Sequence, residues 1–218
     1  MNFLEKASLK RILLICGILS SLLYVGTDIV AGMLYVGYSF TSQAISELSA
    51  IGAPTRPLWI DMTFMYSPLL IAFGVGVWKV ADRGHFLSIT GILLVVWGFL
   101  GFVWLFFPMH MRGAIGSNTD TMHLVLSAVT VILMMLFIGL GSGAGGRWFR
   151  LYSFLTIIAI LVFGALVGMQ APQVAAQLPT PWMGIMERVS VYSPMLWVVV
   201  LAIVLLREEK LGKMREEN

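Results

Sequence analysis

The amino-acid sequence predicts an all-α fold. It is a bundle of six transmembrane helices with both termini in the cytoplasm and a short amphipathic interfacial helix between the first two. Three observations carry this. Six stretches of about 20 or more mostly apolar residues are each long enough to cross ~30 Å of hydrocarbon as a helix. The basic residues fall almost entirely on one side of those stretches. The composition, 59% hydrophobic and 11% charged with a mean hydropathy of +0.91, leaves too little polar surface for a soluble domain of 218 residues.

The stretches cover about residues 12–37, 58–78, 86–107, 121–140, 151–174 and 182–206. Lys6, Lys10 and Arg11 precede the first, and Lys79 and Arg83 separate the second from the third. Arg147 and Arg150 separate the fourth from the fifth, and Arg207, Lys210, Lys213 and Arg215 follow the sixth. Eleven basic residues therefore share a side with both termini, against Arg56, Arg112 and Arg188 on the other. The positive-inside rule orients this as six crossings of the cytoplasmic (plasma) membrane, with both ends inside. The first stretch follows basic residues as a signal peptide would. Its length, its Asp28 and its lack of a small-residue cleavage site read instead as a retained helix.

Tryptophans mark the same boundaries: Trp59, Trp104 and Trp182 fall near outer ends, Trp78 and Trp148 near inner ends. Trp97 and Trp197 fall mid-span, to face neighbouring helices or lipid. No polar linker is long enough to separate two domains, so residues 1–218 form one integral membrane domain. The glycine-rich run at 141–146 lacks the Gly-Lys-Ser/Thr ending of a phosphate loop. Cys16 is the single cysteine, which excludes an internal disulfide and a thiolate metal cluster. The net charge of +3 is flank charge and points to no nucleic-acid partner; no cofactor is indicated.

Between the first two stretches, Ala44, Ile45, Leu48 and Ile51 recur at helical spacing, with Ser42, Gln43, Ser46, Glu47 and Ser49 between them. Thr41 is the expected N-cap, and Gly52 and Pro54 the expected stop. The predicted helix would lie flat over the outer end of the bundle as a lid.

Ionisable residues gather at that same outer end. Asp28 lies about 24 Å up the first helix from Ile12, Asp61 about one turn below the top of the second, and His123 in the first turn of the fourth. Glu187 and Arg188 stand in the second turn of the sixth, with Glu47, Arg56, His110 and Arg112 over the same side. Charges within a membrane are costly, so such residues are candidates for function. The pattern predicts an outward-opening polar chamber whose ligand-binding residues are Asp28, Asp61, His123, Glu187, Arg188, Glu47 and Arg56. Each has a structural alternative. In it Asp61 and Glu187 pair with Arg56 and Arg188, Asp120 caps the fourth helix, and His123 is a hydrogen-bonded structural residue. Gln170, Gln173 and Gln177 either line the chamber or wet the end of the fifth helix. Asp28 has no basic residue at its depth in the sequence and is expected to be protonated or bound to tyrosine or serine hydroxyls. The second and sixth stretches each place an acid five residues before Tyr-Ser-Pro (Asp61 with Tyr66–Pro68, Glu187 with Tyr192–Pro194). Proline frees a carbonyl one turn back and bends a helix, leaving a polar notch.

Several segments resemble the membrane-protein family catalogued as domain of unknown function 998: Tyr38-Ser39, Ile45-Ser46-Glu47-Leu48, Gly52-Ala53-Pro54, Phe107-Pro108, His123 and Glu187-Arg188. The resemblance implies a single polytopic bundle of this length and supplies no activity, substrate or cofactor. Zinc-dependent intramembrane hydrolases and di-haem cytochromes need several in-membrane histidines, and here only His123 is one. Three readings of function remain. The first is binding or translocation of a small amphipathic molecule or lipid headgroup. The second is an intramembrane enzyme acting on a lipid, with His123 as base, Glu47 or Asp61 as its orienting acid and Ser46 as nucleophile. The third is a structural or assembly role. Partners are then membrane lipids and a small amphipathic ligand, with a homo-oligomer open. The GxxxG step at Gly164 and Gly168 serves either packing within the bundle or a dimer contact.

Overall fold

The computed structural model describes residues 3–81, 84–114 and 116–216. Of the basic residues that set the predicted orientation, Arg83 and the side chains of Lys6, Lys210, Lys213 and Arg215 lie outside the described part. The elements are α1 (Phe3–Leu34), α2 (Arg56–Val80), α3 (His85–Trp104), α4 (Asn118–Gly141), α5 (Gly146–Gly168), α6 (Ala171–Ala175) and α7 (Met183–Glu216), with 3-10 turns at Ile45–Ser49 and Ser142–Gly145. No strand occurs among the described residues; Ile51 and His110 form an isolated parallel bridge. Five segments are long and apolar enough to cross a membrane: Ser8–Leu34, Arg56–Val80, His85–Trp104, Asn118–Ala175 and Met183–Glu209. The fourth is 58 residues long and contains α4, the 3-10 turn, α5 and α6.

Helix packing closes a ring, in which α1 touches α2, α2 touches α3, and the contacts continue through α4 and α5 to α7 and back to α1. Trp97, Phe137 and Trp197 fill its interior. Trp97 stacks on Phe137 with ring centroids 5.0 Å apart, and Phe137 and Phe149 flank Trp197 at 5.6 and 5.7 Å. The Trp197 indole donates to Ser153 Oγ at 2.8 Å, satisfying its polar atom in a dry interior. Both mid-span tryptophans thus face neighbouring helices. Trp59, expected at the headgroups, is instead buried edge-on against Tyr24 at 5.3 Å. The outer surface is apolar, with Met33, Val36, Phe64, Phe106 and Leu124 all exposed. A contiguous greasy exterior of this kind fits lipid rather than water.

Lipid tails are as apolar as leucine, so close van der Waals contact has to hold the helices together. The α2–α3 crossing is the tightest. A Cβ at Gly74 would stand 2.7 Å from the Gly91 carbonyl oxygen, and one at Gly91 would stand 2.6 Å from the Trp78 nitrogen. Backbones meet there because neither helix carries a side chain at the contact. Gly164 of the GxxxG step faces Ser190 of α7, so half of that step serves packing within the bundle; Gly168 meets nothing.

The segment predicted as an amphipathic helix is a shorter and tighter structure. Its 3-10 turn covers only Ile45–Ser49, and Ala44, Ile45 and Leu48 are buried while Ile51 is exposed. Local side-chain bonds compete with helix formation before it: Ser39 N–H donates to Gln43 Oε1, and Ser42 N–H to Ser39 Oγ. The segment therefore plugs the end of the ring instead of lying across it. The helix ends also differ from expectation. α1 stops at Leu34, with Gly37 at φ 83°, and α5 stops at Gly168 before the separate α6. Pro68 and Pro194 both lie inside continuous helices.

Candidate functional site

Glu187 and Arg188 are neighbours on α7, so their side chains leave the helix about 100° apart. Arg188 turns toward α1. Its Nε and Nη2 donate to Asp28 Oδ2 and Oδ1, both at 2.9 Å. Nη1 donates to the carbonyls of Phe40 (2.9 Å) and Gly184 (3.1 Å), and Nη2 also reaches Tyr38 Oη at 2.8 Å. The guanidinium carbon lies 4.8 Å from the centroid of the Phe40 ring. Tyr192, one turn along α7, donates to Asp28 Oδ2. Asp28 is fully buried and the Arg188 side chain is 12% exposed. Every guanidinium donor direction is occupied, so this fork joins α1, α7 and the 38–43 segment. The expectation that Asp28 lacks a basic partner is corrected here: the sequence map measured depth along each helix, while a long arginine reaches across from a neighbour. The tyrosine part of the same expectation is met by Tyr192. Burial lifts the Tyr38 hydroxyl above the ordinary tyrosine range against the opposing pull of Arg188, so it stays a neutral phenol.

A second network ties down the plug. Arg112 Nε and Nη2 donate to Glu47 Oε2 and Oε1 at 2.6 and 2.8 Å, and Nη2 also reaches the Ser42 carbonyl and Thr180 Oγ1. Glu47, 3% exposed, additionally accepts the Ala44 N–H. Plug, α3–α4 loop and α6–α7 loop thus meet at the Arg112 guanidinium. Gly184 lets α7 approach this segment: a Cβ there would stand 2.3 Å from the Gln43 carbonyl oxygen.

Beneath the plug, α4, α5, α6 and α7 surround a cavity of about 340 Å³. Its walls are largely apolar, with Met109, Leu124, Val167, Val174 and Met183 among the lining residues. Ser46, His110, Asp120, His123, Ser127 and Glu187 supply the polar lining. Asp120 belongs to the N-terminal cap of α4: its Oδ2 accepts from Ser117 N–H and Oγ, and its Oδ1 accepts the His110 N–H at 2.7 Å. His110, expected in an exposed loop, is half-buried with Nδ1 at 2.9 Å from Asp120 Oδ2. The two remaining groups are different. His123 Nδ1 is 2.9 Å from the Phe107 carbonyl oxygen, which can only accept, so Nδ1 carries a proton and the neutral ring presents its lone pair at Nε2. Trp104 packs edge-on against that imidazole at 4.8 Å. Glu187 Oε2 accepts the Ile45 N–H, and Oε1 has no hydrogen-bond partner among the described residues.

Residues 18–204 match the family described as Protein of unknown function (DUF998). The chain belongs to that family. No curated protein and no solved structure matches it.

In this DUF998 protein the predicted site residues separate into three groups. Glu187 and His123 line the cavity, as does Ser46. Asp28, Arg188 and Glu47 sit at the same end of the bundle but are bound within the two networks. Asp61 and Arg56 converge on neither: Asp61 is exposed without an ion pair or hydrogen bond among the described residues, and Arg56 donates to the Ser49 carbonyl at 2.7 Å. The shared chamber of Asp28, Asp61 and Glu187 is therefore replaced by a narrower one. The pairings of Asp61 with Arg56 and of Glu187 with Arg188 are likewise replaced, by solvent or lipid exposure for the first acid and by Ile45 for the second. None of Gln170, Gln173 and Gln177 lines the cavity; Gln177 caps the Arg112 carbonyl at 3.1 Å. Arg112, Tyr38 and Tyr192 are the residues that sequence reasoning left out of the site. Tyr192 had a legible signal, because it stands four residues after Arg188 on the same helix face. No group of three or more His, Cys, Asp or Glu residues suited to a metal ion occurs among the described residues.

Proposed function

We propose that this protein is a six-crossing integral membrane protein of the cytoplasmic membrane, with both termini inside, that binds a small amphipathic molecule or lipid headgroup in the outward cavity between α4, α5 and α7. Treating α4 and α5 as separate crossings gives the sixth. They are 24 and 23 residues long, roughly 36 and 35 Å, and each suffices for a bilayer core. One observation carries the binding reading. Every other buried charge at the outer end is bound to a counter-charge, whereas Glu187 Oε1 and His123 Nε2 stay free inside apolar walls. Few convergent polar atoms in an apolar cavity is the ordinary make-up of a small-molecule site.

The test uses a filled cavity. Gly168 lines it, and a Cβ added there meets nothing within 4 Å, so Gly168→Leu adds bulk at the cavity wall from a position where the backbone has room for a side chain. Native mass spectrometry of the purified protein should detect a co-purified amphiphile that Gly168→Leu loses while its melting temperature holds. Equal retention by both proteins removes the cavity as the binding site.

The shared lining of Ser46 and His123 favours a second reading, a lipid-directed enzyme in which the His123 Nε2 lone pair accepts a proton from Ser46 or from water. In that case Ser46→Ala and His123→Gln each abolish turnover of a membrane ester in reconstituted vesicles. Turnover that survives both changes ends it. A structural or assembly role fits Asp28, Arg188, Glu47 and Arg112, whose donors and acceptors are used within the fold.

A further inference from the structure

Resting on the binding reading above, we infer that the cavity selects amphiphiles with a cationic primary ammonium head, Glu187 being the counter-charge and His123 Nε2 a second acceptor.

Apart from the Ser46 hydroxyl, the polar groups facing the space accept rather than donate. Glu187 brings a carboxylate whose Oε1 is open, and His123 brings a lone pair because its ring proton is committed to the Phe107 carbonyl. Ser127 spends its hydroxyl proton on the His123 carbonyl at 2.8 Å, leaving its oxygen as an acceptor. The Asp120 oxygens are already engaged by the His110 and Ser117 N–H groups and the Ser117 hydroxyl within the cap of α4. Among the described residues, no lysine or arginine lines the cavity. The nearest guanidinium in sequence, Arg188, is held by Asp28 on the other side of α7. Glu187 is thus an acid beside an apolar space with no lysine or arginine on the cavity side among the described residues.

That imbalance chooses the ligand. An anionic or sulfated head would meet the carboxylate with only the neutral Ser46 hydroxyl as a donor and no cation to offset it. A hydroxyl head has one proton to give. A primary ammonium has three donors and a positive charge, matching Glu187 Oε1, His123 Nε2 and a serine oxygen together. A buried charge pair of this kind is favoured when its remaining hydrogen-bonding capacity is filled, as three acceptors would do. The alkyl chain then lies along Leu124, Val167 and Met183. Leu124 is 56% exposed on the outside of the bundle, so the chain has a continuous apolar path from cavity to surrounding lipid.

The same head is carried by free long-chain amines and by the ethanolamine headgroup of phospholipids. The experiment separates these sources. Protein in nanodiscs of phosphatidylglycerol is titrated with dodecylamine, dodecanol and dodecyl sulfate, and binding is read by melting-temperature shift and by native mass spectrometry. Dodecylamine should bind at least tenfold more tightly than either comparison compound. Glu187→Gln, whose amide oxygen still accepts from Ile45, should lose that preference and keep the binding of dodecanol. Gly168→Leu should lose all three. In nanodiscs with equal phosphatidylethanolamine and phosphatidylglycerol, selective retention of the ethanolamine lipid assigns the ligand to the membrane, and its absence alongside dodecylamine binding assigns it to a free amine. Equal binding of amine and alcohol overturns the ammonium inference while leaving the cavity reading standing, provided Gly168→Leu removes both. Binding of all three compounds unchanged by Gly168→Leu overturns both readings. The wild-type comparison of amine with alcohol decides the inference even if Glu187→Gln fails to fold.

Discussion

Adjacent residues on α7 do opposite things. Arg188 is consumed by the fold, and Glu187 is left facing space. The Asp28–Arg188 fork is a buried pair whose attraction is offset by the cost of removing both charges from water, so its net contribution is small, while halving it is expensive. Arg188→Met should destabilise the protein by about 3–5 kcal/mol, because it strands the fully buried Asp28 carboxylate. The double change Asp28→Leu with Arg188→Met should recover most of that loss. Unfolding of the four proteins in one detergent measures the cycle. A double variant as unstable as the single one would mean that the fork supplies more than mutual neutralisation. Neither residue's role was legible from its position along the chain. Asp28 looked isolated because the sequence gives depth within a helix and not which helices are neighbours.

At the scale of elements, small residues decide where helices meet. Gly74 and Gly91 allow α2 and α3 to touch through their backbones, so Gly91→Leu must push the helices apart. Overpacking of this kind typically costs about 1–3 kcal/mol, and a lowered melting temperature with the helical circular-dichroism signal retained is the expected result. The outer plug depends on polar contacts instead. Arg112→Ala removes both hydrogen bonds to Glu47 and those to Ser42 and Thr180. Faster hydrogen exchange is expected over residues 39–51, with exchange in α2 and α3 unchanged; protection of the plug equal to wild type would show that its apolar contacts alone hold it. The helical periodicity of 41–51 was real, since three of its four apolar residues are buried. Its helix type was misjudged because the hydroxyl and amide side chains of residues 39–43 bond the backbone locally, a competition that apolar spacing does not register.

For the whole molecule, α1, α2, α3, α4, α5 and α7 pack in a ring that presents apolar side chains outward and holds a polar-lined cavity near one end. The inferred orientation can be tested in intact cells on a Cys16→Ser background. Ile51→Cys, exposed beside the plug, should react with a membrane-impermeant maleimide, and Gly143→Cys, in the α4–α5 turn, should react only after permeabilisation. The reverse pattern would invert the assigned topology.

Apolar runs of bilayer length, the lopsided distribution of lysine and arginine and the gathering of acids at one end were all set by the chain itself. These are one-dimensional properties of a chain that must satisfy its backbone inside lipid. They sufficed to predict an all-helical membrane bundle and to place Glu187 and His123 near a shared end, while the family resemblance rested on short motifs such as Ile45-Ser46-Glu47-Leu48. Tertiary structure alone decided which acid meets which base. It removed Asp61 and Arg56 from the chamber, matched Asp28 with Arg188 and Glu47 with Arg112, and left Glu187 open. The physical reason is that charge pairing in a low-dielectric interior depends on a few ångströms across helix boundaries, set by how glycines and aromatic residues let the ring close.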